Sequence, residues 1–262
     1  MCGEKFKFDF DTLEKSLVSG LKQYLKTSGA SGFVVGVSGG LDSAVVATLC
    51  AKAGSCSGLM MPTLSSNPAN IQDAKALLKR LAIPYKIINI SPIISAFEAA
   101  SQAAVCVGEL GAEVGKKRIS LGNLAARVRM SLLYDFAFKH NLLVAGTSNK
   151  SERMLGYGTI WGDLACGVNP IGEIYKSDLF AFAEFLGVEE NIIKKPPSAD
   201  LWEGQSDEGD LGYSYSLLDA ALKELQTSSP SKKLDEGLVS FVAQRVKNSE
   251  FKRRMPLILP VS

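Results

Sequence analysis

Between Gly36 and Ser43 the chain reads Gly-Val-Ser-Gly-Gly-Leu-Asp-Ser. The apolar run Phe33–Val37 enters this stretch, and a run of small apolar residues leaves it. Two chemistries fit. A Gly-rich turn between a strand and a helix offers backbone N–H groups at a positive helix end, which favours a phosphate. Gly36, Gly39 and Gly40 allow close approach and positive φ, and Ser38 and Ser43 add hydroxyl donors. The lysine of a GxxxxGK[ST] loop is missing, and Asp42 stands among the prospective phosphate ligands instead. A carboxylate there repels phosphate unless a divalent cation lies between, so Asp42 implies Mg²⁺. The second chemistry is nucleophilic. Gly36-Val-Ser-Gly-Gly40 satisfies G-x-S-x-G, which would make Ser38 a hydrolase nucleophile. That requires a histidine, and His140 is the chain's only one. It precedes a strand, whereas sites in open parallel sheets gather at the strands' carboxyl ends.

The elements that must position these residues alternate. Leu13, Leu17, Leu21 and Leu25 form one helical stripe within 10–27. Phe33–Val37 reads as a buried strand, followed by a helix over 43–53. Strands follow at 58–61, 85–90 and 142–145, and helices at 70–81, 92–104 and from an Asn123 cap to Lys139. Residues 105–119 read as a loop. Continuous apolar strands alternating with helices predict an α/β fold: a Rossmann-like parallel sheet with helices on both faces. The C-terminal part differs. Residues 201–215, acidic and Gly-rich, read as a solvated loop or a mobile lid. Helices over 216–225 and 235–247 follow.

Composition bounds the function. The 262 residues are 46% hydrophobic, which suffices for one sizeable core. The net charge of +2 gives no basic face for nucleic acid. No stretch reaches the roughly eighteen apolar residues of a membrane span, and the first residues lack a signal h-region. The five cysteines form no CxxC pair; reduced thiols in a cytoplasmic protein are expected. Met-Cys-Gly at the start matches N-terminal cysteine glutaminases, but too little chain precedes Gly36 to form such a domain.

Ser38-Gly-Gly-Leu-Asp-Ser43 resembles the phosphate loop of the ATP pyrophosphatases, the PP-loop enzymes. Four further motifs follow in order: Gly122-Asn-Leu-Ala-Ala-Arg-Val-Arg-Met130, Gly146-Thr-Ser-Asn-Lys-Ser-Glu152, Asn169-Pro, and Lys195-Pro-Pro-Ser-Ala-Asp-Leu201. Phe251-Lys-Arg-Arg254 closes the series. Together they resemble the NAD synthetases, in their ammonia-dependent form. The resemblance implies a five-stranded parallel sheet of the adenine nucleotide hydrolase type in a single domain over 1–262. A nucleotide-binding core spans 33–190, a flexible lid 198–215, and C-terminal helices and tail 216–262. A homodimer is implied, with ATP, deamido-NAD and ammonia as substrates. The carboxylate of deamido-NAD is adenylated, pyrophosphate leaves, and ammonia displaces AMP.

The roles carried over are as follows. Gly36, Val37, Ser38, Gly39, Gly40, Leu41, Asp42 and Ser43 would cradle ATP, with Thr147, Lys176 and Ser198. Asp42 and Glu152 would hold Mg²⁺. Arg127, Tyr157 and Lys252 would bind deamido-NAD. Asp163 would take ammonium and its proton, making it catalytic alongside Asp42 and Lys176. The sequence departs from the family at Ile160, Gly167 and Phe251, where Lys, Asp and His are common. Other PP-loop ligases, a tRNA-modifying enzyme and a non-enzymatic ATP-binding module are the competing readings.

Overall fold

Four β-branched or apolar-rich segments build the sheet in the computed structural model, which describes residues 9–104, 117–198, 204–227 and 234–261. Strand β1 (Gly32–Gly36) is central, and its Phe33, Val34 and Val35 are fully buried. It pairs in parallel with β2 (Cys56–Met60) on one side and β4 (Leu142–Ala145) on the other. β3 (Tyr85–Ile87) pairs with β2 as the exposed edge, giving the order β3-β2-β1-β4.

Helices cover both faces, because a parallel sheet needs crossovers on each. On one face lie α1 (Phe10–Ser28), α2 (Leu41–Ala53) and α3 (Pro68–Arg80), with α7 (Lys176–Phe185) and α8 (Glu190–Ile193). α2 is built of small residues, so nearly all of it packs inside. α4 (Ser91–Gln102) and α5 (Lys117–His140) cover the other face. A separate apolar cluster joins α6 (Lys150–Leu155) to α10 (Tyr215–Leu225) and α11 (Glu236–Asn248), through Leu155, Leu218, Leu222, Leu238 and Val242. The last turn, α12 (Glu250–Arg253), is a 3₁₀ helix that leads into the C-terminal tail.

The α/β parallel architecture is as expected, with three differences in detail. Among the described residues the sheet has four strands, and a single parallel bridge joins Ala145 to Val168 where a fifth could run. Two residues on, Pro170 has no N–H with which to continue a ladder. Helix α5 starts at Lys117, so Asn123 is an interior residue and not a cap. Its side-chain Oδ1 accepts from Thr159 Oγ1 at 2.8 Å, a tertiary contact in place of a cap. The acidic stretch before residue 215 contains the one-turn helix α9 (Asp207–Leu211). Ser206 caps it, and Asp207 and Leu211 are buried, so this part is no solvated loop. Most of the loop expected at 105–119 (105–116), the lid's residues 199–203, Cys2 and Cys106 lie outside the described residues. Cys50, Cys56 and Cys166 are free thiols. Among the described residues no helix is long and apolar enough to cross a membrane.

Candidate active site

At the carboxyl ends of β1 and β4 the chain opens into a cavity of about 1100 Å³. The loop after β1 forms its floor. Gly39 is left-handed at φ +83°, and Gly40 leads into α2. The Gly40 N–H donates to Ser38 Oγ at 3.2 Å, and Ser43 Oγ donates back to the Gly40 carbonyl at 3.0 Å. The two serines are therefore wound into one turn whose N–H groups sit at the start of a thirteen-residue helix. Ser38 has no histidine near it. His140 ends α5 at the opposite, amino end of β4, its ring tilted against Phe136. The hydrolase reading fails on this geometry.

Asp42, in the first turn of α2, meets two distant residues. Its Oδ1 accepts from Asn149 Nδ2 at 2.8 Å, and its Oδ2 pairs with Lys176. Asn149 also caps α6. Its Oδ1 accepts from the Glu152 N–H at 3.0 Å, while its own N–H donates to Glu152 Oε2 at 3.2 Å. This capping box brings the Glu152 carboxyl toward Asp42. Asn149 thus links the two carboxylates that Mg²⁺ would need. The signal was present in the sequence, since Asn at the cap with Glu three residues on is a helix start.

Lys176 is 3% exposed and opens α7. Burial opposes its charge, but Asp42 and Glu152 outweigh burial and raise its pKa. Glu152 is pushed well above the usual carboxylate range, first by burial and then by the Asp42 charge. Asp207, on α9, faces the same cluster and was not foreseen. Burial raises its pKa, Tyr215 donates to its Oδ2 at 3.1 Å, and its Oδ1 has no hydrogen-bond partner. Three carboxylates therefore surround one ammonium. That excess of negative charge suits a divalent cation. Among the described residues no three His, Cys, Asp or Glu side chains are placed to hold an ion alone. Mg²⁺ characteristically takes one or two carboxylates and fills its shell with phosphates and water. The donor set of Asp42 and Glu152 fits a cation that arrives with a nucleotide.

Thr147, Ser198, Tyr157 and Lys252 line the cavity. The Tyr157 hydroxyl donates to Asp210 Oδ2 at 2.8 Å, tying α9 to the cavity wall. Lys252 donates to the carbonyls of Gly156 and Gly158 at 2.9 and 2.8 Å. Burial lowers its pKa, offset in part by Asp163. Asp163 lines the cavity and accepts from the Thr159 N–H at 2.9 Å. The residue keeps solvent access, yet the surrounding protein disfavours charge on its carboxyl and raises its pKa. Arg127 is not brought to this site: it is exposed on α5, while Arg129 lines the cavity and donates to the Met61 carbonyl at 3.1 Å. Ile160 lines a second cavity shared with Lys252, and Gly167 and Phe251 line neither.

The NAD synthase family model matches residues 13–256. A relative from Campylobacter jejuni, an NH(3)-dependent NAD(+) synthetase, is 47% identical over 97% of this chain and all of its own length. A Helicobacter pylori protein of the same description is 41% identical over 95% of this chain and 96% of its own. Among solved structures, an NMN synthetase from Francisella tularensis superimposes with a TM-score of 0.87 at 32% identity. The NH3-dependent NAD synthetase of Campylobacter jejuni gives 0.82 at 41%. Each covers 97% of this chain and 100% of its own.

Proposed function

The chain belongs to the NAD synthase family, and from that premise we propose how its cavity makes NAD from ammonia and a carboxylate. The reaction is a C–N ligation driven by ATP. Oxide is not a feasible leaving group at neutral pH, so the carboxylate must first be activated. An oxygen of the nicotinate carboxylate of deamido-NAD attacks the α-phosphorus of ATP, and pyrophosphate leaves. Ammonia then attacks the acyl carbon of the mixed anhydride, and AMP leaves.

The observation that carries this reading is the junction at Asp42. One carboxylate of the phosphate loop is bonded through Asn149 to the helix that bears Glu152, and paired with buried Lys176. The loop N–H groups and Ser38 and Ser43 receive the phosphates, with Thr147 and Ser198 on the cavity walls. Lys176 would meet the charge that develops on the departing pyrophosphate. Mg²⁺ held by Asp42 and Glu152 would neutralise phosphate charge as that bond breaks. Tyr157 and Lys252 face the second substrate. Asp163, with its raised pKa, attracts ammonium and accepts its proton, because only neutral ammonia is a nucleophile. Arg127, on the outer face of α5, would meet substrate only where a second copy of the chain covers that face, as in a homodimer.

The mononucleotide is a second reading of the substrate, favoured by the Francisella tularensis NMN synthetase match. The test is chromatography after incubation with ATP, Mg²⁺ and ammonium, plus either deamido-NAD or nicotinate mononucleotide. NAD, AMP and pyrophosphate from the dinucleotide are expected. Amide formed only from the mononucleotide would establish the second reading. No AMP from either would overturn both, and glutamine replacing ammonium with equal effect would overturn the nitrogen source.

A further inference from the structure

Lys195 follows α8 and takes none of the substrate roles above. Its half-buried ammonium lies among oxygens. It donates to the Gly39 carbonyl at 3.0 Å and to Asn70 Oδ1 at 2.8 Å, and it pairs with Asp73. The first partner belongs to the phosphate loop and the others to α3. The contact between them is tight: a Cβ on Gly39 would lie 2.1 Å from the Asn70 carbonyl oxygen. Asp73 is braced in turn by Asn191 Nδ2 at 2.5 Å, and Arg80 pairs with Glu189 at 2.6 Å. A polar seam therefore fixes the segment 189–195 against α3, with the loop carbonyl at its end.

A trans peptide is planar, so its C=O and N–H point in opposite directions. Lys195 draws the Gly39 carbonyl toward α3. The Gly40 N–H of the same peptide then turns into the loop, where it meets Ser38 Oγ at 3.2 Å. Glycine on both sides of this peptide leaves it sterically free to rotate. Reversed, it would present a carbonyl dipole to the phosphate.

We propose that Lys195 is a positioning residue that holds the Gly39–Gly40 peptide with its N–H toward the nucleotide, so that the phosphate loop is formed before ATP binds. The proposal rests on the nucleotide role assigned to that loop. It is tested with Lys195→Met, Lys195→Arg and Asp73→Asn. Binding of a non-hydrolysable ATP analogue is measured by calorimetry, together with the KM for ATP and for ammonium, and kcat. Lys195→Met should weaken analogue binding and raise the ATP KM about tenfold, the loss of one charged hydrogen bond. kcat at saturating ATP and the ammonium KM should be retained. Lys195→Arg should recover part of the affinity, and Asp73→Asn should show a smaller loss of the same kind. Unchanged analogue affinity in Lys195→Met, a loss confined to kcat, or no effect of Asp73→Asn would overturn the proposal. Asp73→Asn decides the matter should Lys195→Met fail to fold. The calorimetry uses neither ammonia nor the second substrate. A wild-type protein that binds the analogue but forms no amide would therefore overturn the functional reading without touching the clamp.

Discussion

Replacing Lys176 with Met removes the one positive charge shared by Asp42 on α2, Glu152 on α6 and Asp207 on α9, and leaves the Tyr215 ring of α10 beside it. Removing one partner of a buried ion pair costs about 3–5 kcal/mol. Asp42 keeps the Asn149 hydrogen bond, and its side chain is 17% exposed, so the lower end applies, about 3 kcal/mol. For a chain near this size that is a fall in Tm of about 6–12 °C. The loss should depend on pH. Glu152 and Asp207 already sit above their ordinary values, Lys176 pulls both down, and without it both rise further. A carboxyl whose pKa is raised by folding binds more protons folded than unfolded between its ordinary and raised values. Stability is therefore lost as pH climbs through that window. The Tm gap between wild type and variant should be small near pH 5 and widen toward pH 8. Scanning fluorimetry in EDTA across that range measures it. A gap that stays constant with pH, or a variant as stable as wild type at pH 8, would refute the electrostatic account of this cluster.

Asp42→Asn keeps a side chain able to accept from Asn149 but removes the charge that faces Lys176 and that would hold Mg²⁺. It should abolish AMP and pyrophosphate formation, and near wild-type turnover at saturating Mg²⁺ would remove the metal role. Gly39→Ala places a Cβ against Asn70 at a left-handed φ of +83°. It should cost about 1–3 kcal/mol in chemical denaturation and reduce analogue binding; an unaltered denaturation midpoint would contradict the packing described. Asp163→Ala should raise the ammonium KM and slow amide release while pyrophosphate is still produced. If both ammonium constants are unchanged, Asp163 has no part in the ammonia step.

Local features were legible wherever one stretch of chain carries its own signal. Phe33–Val37 reads as a strand because its residues are apolar and β-branched, and Gly36–Ser43 reads as a turn between that strand and a helix because of its glycines and serines. Legibility ended where a tertiary partner decides the outcome. Asn123 has the composition of a cap, but Thr159 occupies its side chain and α5 runs through it. The acidic run before residue 215 has the composition of a solvated loop, yet Tyr215 and the cavity wall bury Asp207. Spacing sets Arg127 and Arg129 on different sides of the helix and the family resemblance assigns Arg127 to the substrate, whereas the packing of α5 turns Arg129 to the cavity.

The same limit explains the loop's most conspicuous omission. A phosphate loop with Asp42 in place of the lysine of GxxxxGK[ST] looks electrostatically wrong within its own eight residues. In the fold, Lys176 reaches Asp42 from 134 residues away, and Lys195 reaches the Gly39 carbonyl from 156 residues away. One lysine meets the loop at its acidic residue and the other at its left-handed glycine. The cationic function is thus divided. On the proposed reading, Lys176 would supply charge beside the phosphates, and Lys195 the backbone orientation that lets N–H groups face them. The division predicts separable defects. Loss of Lys176 should appear in stability and in the adenylation step, and loss of Lys195 in nucleotide affinity alone. If both variants showed the same profile, the two lysines would be parts of one charge cluster and the division would be wrong.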